Sequence, residues 1–151
     1  MRKILLFLAT ALFFVGCEKK EYWDHETPTN PVIAHLMCVE ITKAPNNYFY
    51  GIAIANAQTG KYSDRFDESN FTSDQLPIKF YTDGGLRLDR EVYVMMIQGV
   101  DESMESFITY TDSLPEFKNG SLIYNGETIG LPTVLSFKDK GIEGKWYFRY
   151  D

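Results

Sequence analysis

From Val32 onward the chain is cut into short apolar runs, rich in valine, isoleucine, phenylalanine and tyrosine, by turn-forming residues at intervals of about ten. No window of eleven or more residues carries a helical period, whereas this rhythm is what antiparallel strands joined by tight turns produce. Strands are predicted over residues 32–42, 48–56, 61–66, 78–82, 86–100 with a break near Asp89, 105–111, 121–124, 133–138 and 142–150. The turns have local causes. Asn119-Gly120 and Asn125-Gly126 suit the positive φ angles of type I′ hairpins, and Asp83-Gly84-Gly85 and Asp139-Lys140-Gly141 suit slightly longer loops. Pro45-Asn46-Asn47 is expected to close the first hairpin, and residues 69–75 and 113–116 could each hold a single helical turn.

Two runs specify how the sheet is covered. In the last strand Ile142, Gly144, Trp146, Phe148 and Tyr150 share one face, while Glu143, Lys145, Tyr147 and Arg149 share the other. One face is therefore core and the other wet. The first strand carries Val32, Ala34, Leu36 and Cys38 on one side and Ile33, Met37, Val39 and Ile41 on the other, so it is expected to be central and covered on both faces. The expected fold class is all-β, a two-layer antiparallel sandwich over residues 32–151, with a closed antiparallel barrel as the alternative. The stretch 85–101 resembles the turn into the penultimate strand of fibronectin type III domains, with Leu86 in place and Tyr93 one position late. That resemblance implies a sandwich in general architecture and nothing finer.

The amino end follows another logic. Met1, Arg2 and Lys3 precede residues 4–15, an apolar run interrupted only by Thr10. A spanning helix needs about 20 apolar residues, so this run reads as the hydrophobic region of a secretory signal. It ends in Val15-Gly16-Cys17, with Phe14 where leucine is most common. The order of charge, apolar length, small residue and cysteine resembles the signal peptide and lipobox of bacterial lipoproteins. The resemblance implies that residues 1–16 are removed, that the Cys17 thiol receives a diacylglyceryl group, and that the new amino group is acylated. Two or three chains anchor a protein durably where one does not, since each buried methylene contributes about 0.8 kcal/mol.

Residues 17–31 then form the lipidated cysteine and a flexible tether, charged and poor in aliphatic side chains. Fully extended, its fourteen residues after Cys17 reach roughly 50 Å. This stretch resembles the tethers of Bacteroidetes-type lipoproteins, some of which reach the cell surface when acidic residues follow the cysteine; here Glu18 is followed by Lys19 and Lys20. The implied location is the cell envelope, anchored in the outer membrane, with the periplasmic and the surface side both open. The full chain carries 15 basic and 21 acidic residues, and loss of Arg2 and Lys3 moves the formal charge from −6 to −8. Such a balance argues against nucleic acid, and it leaves the lipid as the source of membrane affinity.

Catalytic and cofactor signals are sparse. The two histidines are His25, in the tether, and His35, expected at a core edge and satisfied by backbone. No Gly-x-Ser-x-Gly elbow, phosphate loop, dinucleotide fingerprint or zinc-ligand spacing occurs, so no cofactor, metal or catalytic residue is assigned. Cys38, flanked by Leu36, Met37 and Val39, reads as an inert buried thiol. Asp64, Asp67 and Glu68, and again Asp101, Glu102 and Glu105, could bind calcium or supply an acid/base pair, but neither set follows the calcium-loop pattern and solvated loops are the simpler reading. The aromatic excess is the most suggestive feature. Tyr22 and Trp23, then Tyr48, Phe49 and Tyr50, then Trp146, Tyr147, Phe148 and Tyr150 could present rings to sugars or peptides, although strand alternation sends Trp146 and Phe148 inward. The expected function is a non-enzymatic binding module for a glycan, a peptide or an envelope partner protein. The alternatives are an assembly component of a surface complex and, less so, a small hydrolase.

Overall fold

The alternating run at the carboxyl end and the doubly apolar run at the amino end become neighbours. The computed structural model describes residues 27–62, 66 and 69–151; residues 1–26, 63–65 and 67–68 lie outside the described part. Eleven strands follow in order: β1 (Ala34–Lys43), β2 (Tyr48–Asn56), β3 (Asn70–Thr72), β4 (Ile78–Arg87), β5 (Tyr93–Asp101), β6 (Phe107–Ser113), β7 (Glu116–Lys118), β8 (Ser121–Tyr124), β9 (Glu127–Gly130), β10 (Val134–Asp139) and β11 (Ile142–Tyr150). They form one sheet in the order β10-β11-β1-β4, a second in the order β3-β2-β5-β6, and a small third sheet, β7-β8-β9. All pairings are antiparallel, and the two larger sheets pack as a sandwich rather than closing into a barrel.

The layers meet where the alternation sends them. Ile142, Gly144, Trp146, Phe148 and Tyr150 of β11 are buried, as are Tyr50, Ile52 and Ile54 of β2 and Met95 and Ile97 of β5. The Trp146 indole N–H points at Met95 Sδ across the layers at 3.4 Å. Phe137 packs on Trp146 at 5.0 Å between centroids and on Tyr110 at 5.5 Å. The third sheet adds Phe117 and Leu122 to the same core and sets Tyr124 edge-on against Trp146. β1 is central, between β11 and β4, and is buried from Ala34 to Val39 on both faces.

Local chemistry shows in the turns. Asn119-Gly120 and Asn125-Gly126 take the predicted paired positive φ angles. Lys140-Gly141 does the same, so Asp139 faces Ile142 across a two-residue turn, shorter than the expected loop. Pro45-Asn46-Asn47 does not close a hairpin. β1 and β2 belong to opposite sheets, and residues 44–47 are long enough to cross the roughly 10 Å between layers. The Tyr50 hydroxyl fastens that corner by donating to the Pro45 carbonyl at 2.7 Å. Asp83-Gly84-Gly85 is likewise not a turn between strands but an outward bulge within β4. Leu36 faces Leu86 while Cys38 faces Tyr81, leaving Thr82, Asp83, Gly84 and Gly85 opposite Met37 alone.

The remaining differences concern short segments. Residues 69–75 split into β3 and a single 3₁₀ turn at Ser73–Gln75, while 113–116 is strand and connection, not a helical turn. Within 61–66 the described residues make only isolated bridges, Ala55 with Tyr62 and Phe66 with Thr82. β7 and β9 were not predicted, because each carries a single apolar side chain, Phe117 or Ile129, whereas the equally short β8 carries Leu122, Ile123 and Tyr124.

Candidate functional site

The outward face of the β3-β2-β5-β6 sheet follows from strand phase. With Tyr50, Ile52 and Ile54 turned inward, Phe49, Gly51 and Ala53 point out, and the register aligns them with outward residues of the two neighbouring strands. Three rows result across β2, β5 and β6: Phe49, Val100 and Phe107; Gly51, Gln98 and Thr109; Ala53, Met96 and Thr111. The first row is a ridge of large apolar side chains. The other two are a low floor, because glycine and alanine supply little side chain.

Beside the ridge lies a depression of about 770 Å³, bounded by Phe49, Phe107, Met96, Tyr62, Phe66 and Ser69. Phe107 is 71% exposed, Tyr62 67% and Phe49 54%. Large aromatic side chains left this open around one concavity, rather than scattered over the surface, make it the candidate site. No charged residue lines it among those described. A second depression of similar size lies across the ridge and shares Phe49 and Val100 with the first. It is bounded by Asp74, Asp101 and Glu102, with Asn46, Asn47 and Met104, and among the described residues by no lysine or arginine.

The loop from β5 to β6 shapes that second hollow. Asp101 Oδ1 accepts from Ser103 Oγ at 2.8 Å, the Glu105 amide at 3.1 Å and the Ser106 amide at 3.2 Å. These hydrogen bonds, the Ser103 hydroxyl foremost, hold its carboxyl below the ordinary range and keep it anionic. The same fold of the loop places Met104 at φ +63° with its side chain 67% exposed at the rim. On the opposite rim the Thr72 hydroxyl donates to Asp74 and the Thr72 amide to Gln75 Oε1 at 2.8 Å.

The other sequence-stated candidates fall elsewhere. Cys17, Tyr22, Trp23, His25, Asp64, Asp67 and Glu68 lie outside the described residues. His35 is buried with the Asp151 carboxylate 3.5 Å from Nδ1, and that nitrogen makes no hydrogen bond, so the expected backbone partner is not found there. Burial lowers its pKa. Cys38 is fully buried, opposite Tyr147 on one side and Tyr81 on the other. Asp101 and Glu102 join at the second hollow through the loop just described, while Glu105 lends that loop its amide. Among the described residues no group of three or more histidine, cysteine, aspartate or glutamate side chains is arranged to hold a metal ion.

The aromatics divide sharply. Tyr50, Trp146, Phe148 and Tyr150 are core, and burial pushes the Tyr50 hydroxyl pKa up to about 12. Tyr147 stands on the outer face of its own sheet and donates to Glu40 at 2.6 Å, with Lys79 over its ring. Of the named set Phe49 borders both hollows and Tyr48 lines the second. Phe107, Tyr62 and Met96 were missed, although Phe107 shares strand phase with Thr109 and Thr111, a polar series in which one phenylalanine stands out. No protein-family model, curated protein or solved structure matches the chain.

Proposed function

We propose that the chain is a lipid-anchored protein of the bacterial cell envelope, held in the outer membrane through Cys17, on its periplasmic or its surface side. Its β domain serves as a non-enzymatic module that binds a glycan, a peptide or a partner protein. The observation that carries the binding half is the hollow flanked by exposed Phe49, Phe107 and Tyr62 on an otherwise well-packed sandwich. Among the described residues none lining it is a histidine, cysteine or lysine, and the two carboxyls with a perturbed titration, Asp89 and Asp101, are held down rather than raised as a general acid requires. The edge geometry favours recognition over assembly. On β6 the Thr109 carbonyl accepts from Lys140 Nζ at 3.0 Å, which blunts the edge that another chain's strand would need.

Two measurements test the reading. Mass spectrometry of the native protein is expected to find a chain beginning at an acylated Cys17, and Cys17→Ala is expected to leave the membrane fraction or to stay unprocessed; a correctly cleaved, membrane-bound Cys17→Ala protein would refute the anchor. For the module, the full lipidated chain in non-ionic detergent is screened against oligosaccharides and peptides. A ligand whose binding falls at least ten-fold in Phe49→Ser and Phe107→Ser, with circular dichroism unchanged, supports the site, and equal binding by both variants sinks it.

A further inference from the structure

The two hollows are alike in size and opposite in character: among the described residues one is lined by no charged side chain, and the other is bordered by Asp74, Asp101 and Glu102. They meet at Phe49 and Val100, so a single ligand can lie across both. Resting on the binding reading above, we infer that this face takes an extended polypeptide segment that places an apolar side chain in the first hollow and a lysine or arginine in the second.

The dimensions suit such a segment. Met96 and Glu102 mark the two ends along β5 and the following loop, six residues apart, which at about 3.3 Å per residue is roughly 20 Å. An extended peptide of about six residues spans that distance. Its side chains two positions apart lie on one face nearly 7 Å apart, enough to straddle the Phe49, Val100 and Phe107 ridge.

Charge selects the class. Sugar hydroxyls can donate to carboxylates, but a neutral sugar does not draw on the combined charge of the three, and an acidic polymer is repelled by it. A basic side chain is the complement, with no lysine or arginine among the described residues that line either hollow to compete for the same carboxylates. Asp101 stays anionic because the loop hydrogen-bonds its charged form, and Asp74 and Glu102 are exposed at the rim. The exposed sulfur side chain of Met104 adds an adaptable apolar contact beside them.

The test uses the full lipidated chain in non-ionic detergent and fluorescence anisotropy with three labelled probes: a hexapeptide of serines carrying phenylalanine at its second position and lysine at its fourth, the same peptide with glutamate in place of the lysine, and cellohexaose. The lysine peptide is expected to bind at least ten-fold more tightly than the glutamate peptide and to weaken as salt rises. The double substitution Asp74→Asn with Glu102→Gln, both at exposed positions, is expected to cost five- to ten-fold in affinity for the lysine peptide. Glu127→Gln, on the third sheet, should cost nothing, which separates the hollow from the general negative charge of the protein. Equal binding of the two peptides, or an equal loss in Glu127→Gln, overturns the inference. Cellohexaose binding that is lost in Phe107→Ser, with no lysine-peptide binding, overturns it while leaving the binding module standing. Failure of all three probes overturns it together with the use of this hollow for recognition.

Discussion

At Gly144 a single hydrogen atom decides whether β11 can lie against β1. A methyl group there would run into the Glu40 carbonyl oxygen, which is backbone and cannot swing aside, and into the Phe137 ring. Gly144→Ala is expected to destabilise the protein by about 3 kcal/mol, the upper end of ordinary overpacking, and urea denaturation measures it directly. His35 makes a different prediction. Burial lowers its pKa most, Arg149 and Arg87 lower it further, and the carboxylates of Asp151 and Asp89 oppose them without prevailing. The unfolded chain therefore takes up the proton first as pH falls below about 6.5. Stability contributed by neutral His35 is complete above that pH and is lost progressively as pH drops toward the lower folded value. Melting temperatures at pH 7.5 and 5.5 are expected to differ more in the wild type than in His35→Gln. Equal differences would remove His35 as the cause.

At the scale of the elements, the bulge in β4 depends on one hydroxyl. Thr82 Oγ1 bonds the Leu36 carbonyl at 2.7 Å and approaches the Met37 carbonyl at 3.1 Å, both within the buried strand that the bulge bypasses. Thr82→Val keeps the shape and removes the donor, so it is expected to cost about 1–2 kcal/mol with an unchanged denaturant slope. The same bulge marks the limit of what the chain discloses by itself. Asp83-Gly84-Gly85 has the local chemistry of a turn and does take positive φ at both glycines, but whether the strand reverses there or continues is settled by the register with β1. Pro45-Asn46-Asn47 is another such case, since an inter-sheet corner and a hairpin use the same residues. Alternation in β11 and the asparagine-glycine turns were legible because their causes lie within a few residues. β3, β7 and β9 were not, since each is short and carries one apolar side chain, Phe71, Phe117 or Ile129. At the site, Phe49 sits between Tyr48 and Tyr50, so its outward phase emerges only from Gly51 and Ala53 set against Ile52 and Ile54.

For the molecule as a whole, the small third sheet is bound into the sandwich rather than appended to it. Phe117 and Leu122 share the main core, Tyr124 meets Trp146, and the hydroxyls of Tyr110 and Tyr124 both donate to Asp112, at 3.0 and 2.6 Å. One cooperative unfolding transition is the expected consequence. The chain has two tryptophans, so Trp23→Phe leaves Trp146 as the reporter. Its fluorescence and the far-ultraviolet circular dichroism should then change together. Two separated transitions would mean that the third sheet folds independently.

The clamp behind the ridge carries one more implication. Tyr50, next to Phe49 in the chain, is stacked on Phe71 at 4.9 Å, tied to Pro45, and lodged where Gly99 leaves room for its ring. The outward side chains thus stand on a foundation that does not rearrange when they are exchanged. A ligand bound there as proposed would meet a surface whose footing is already set and would lose little to ordering it. Mutational drift could accordingly alter that surface, one outward residue at a time, without endangering the fold beneath.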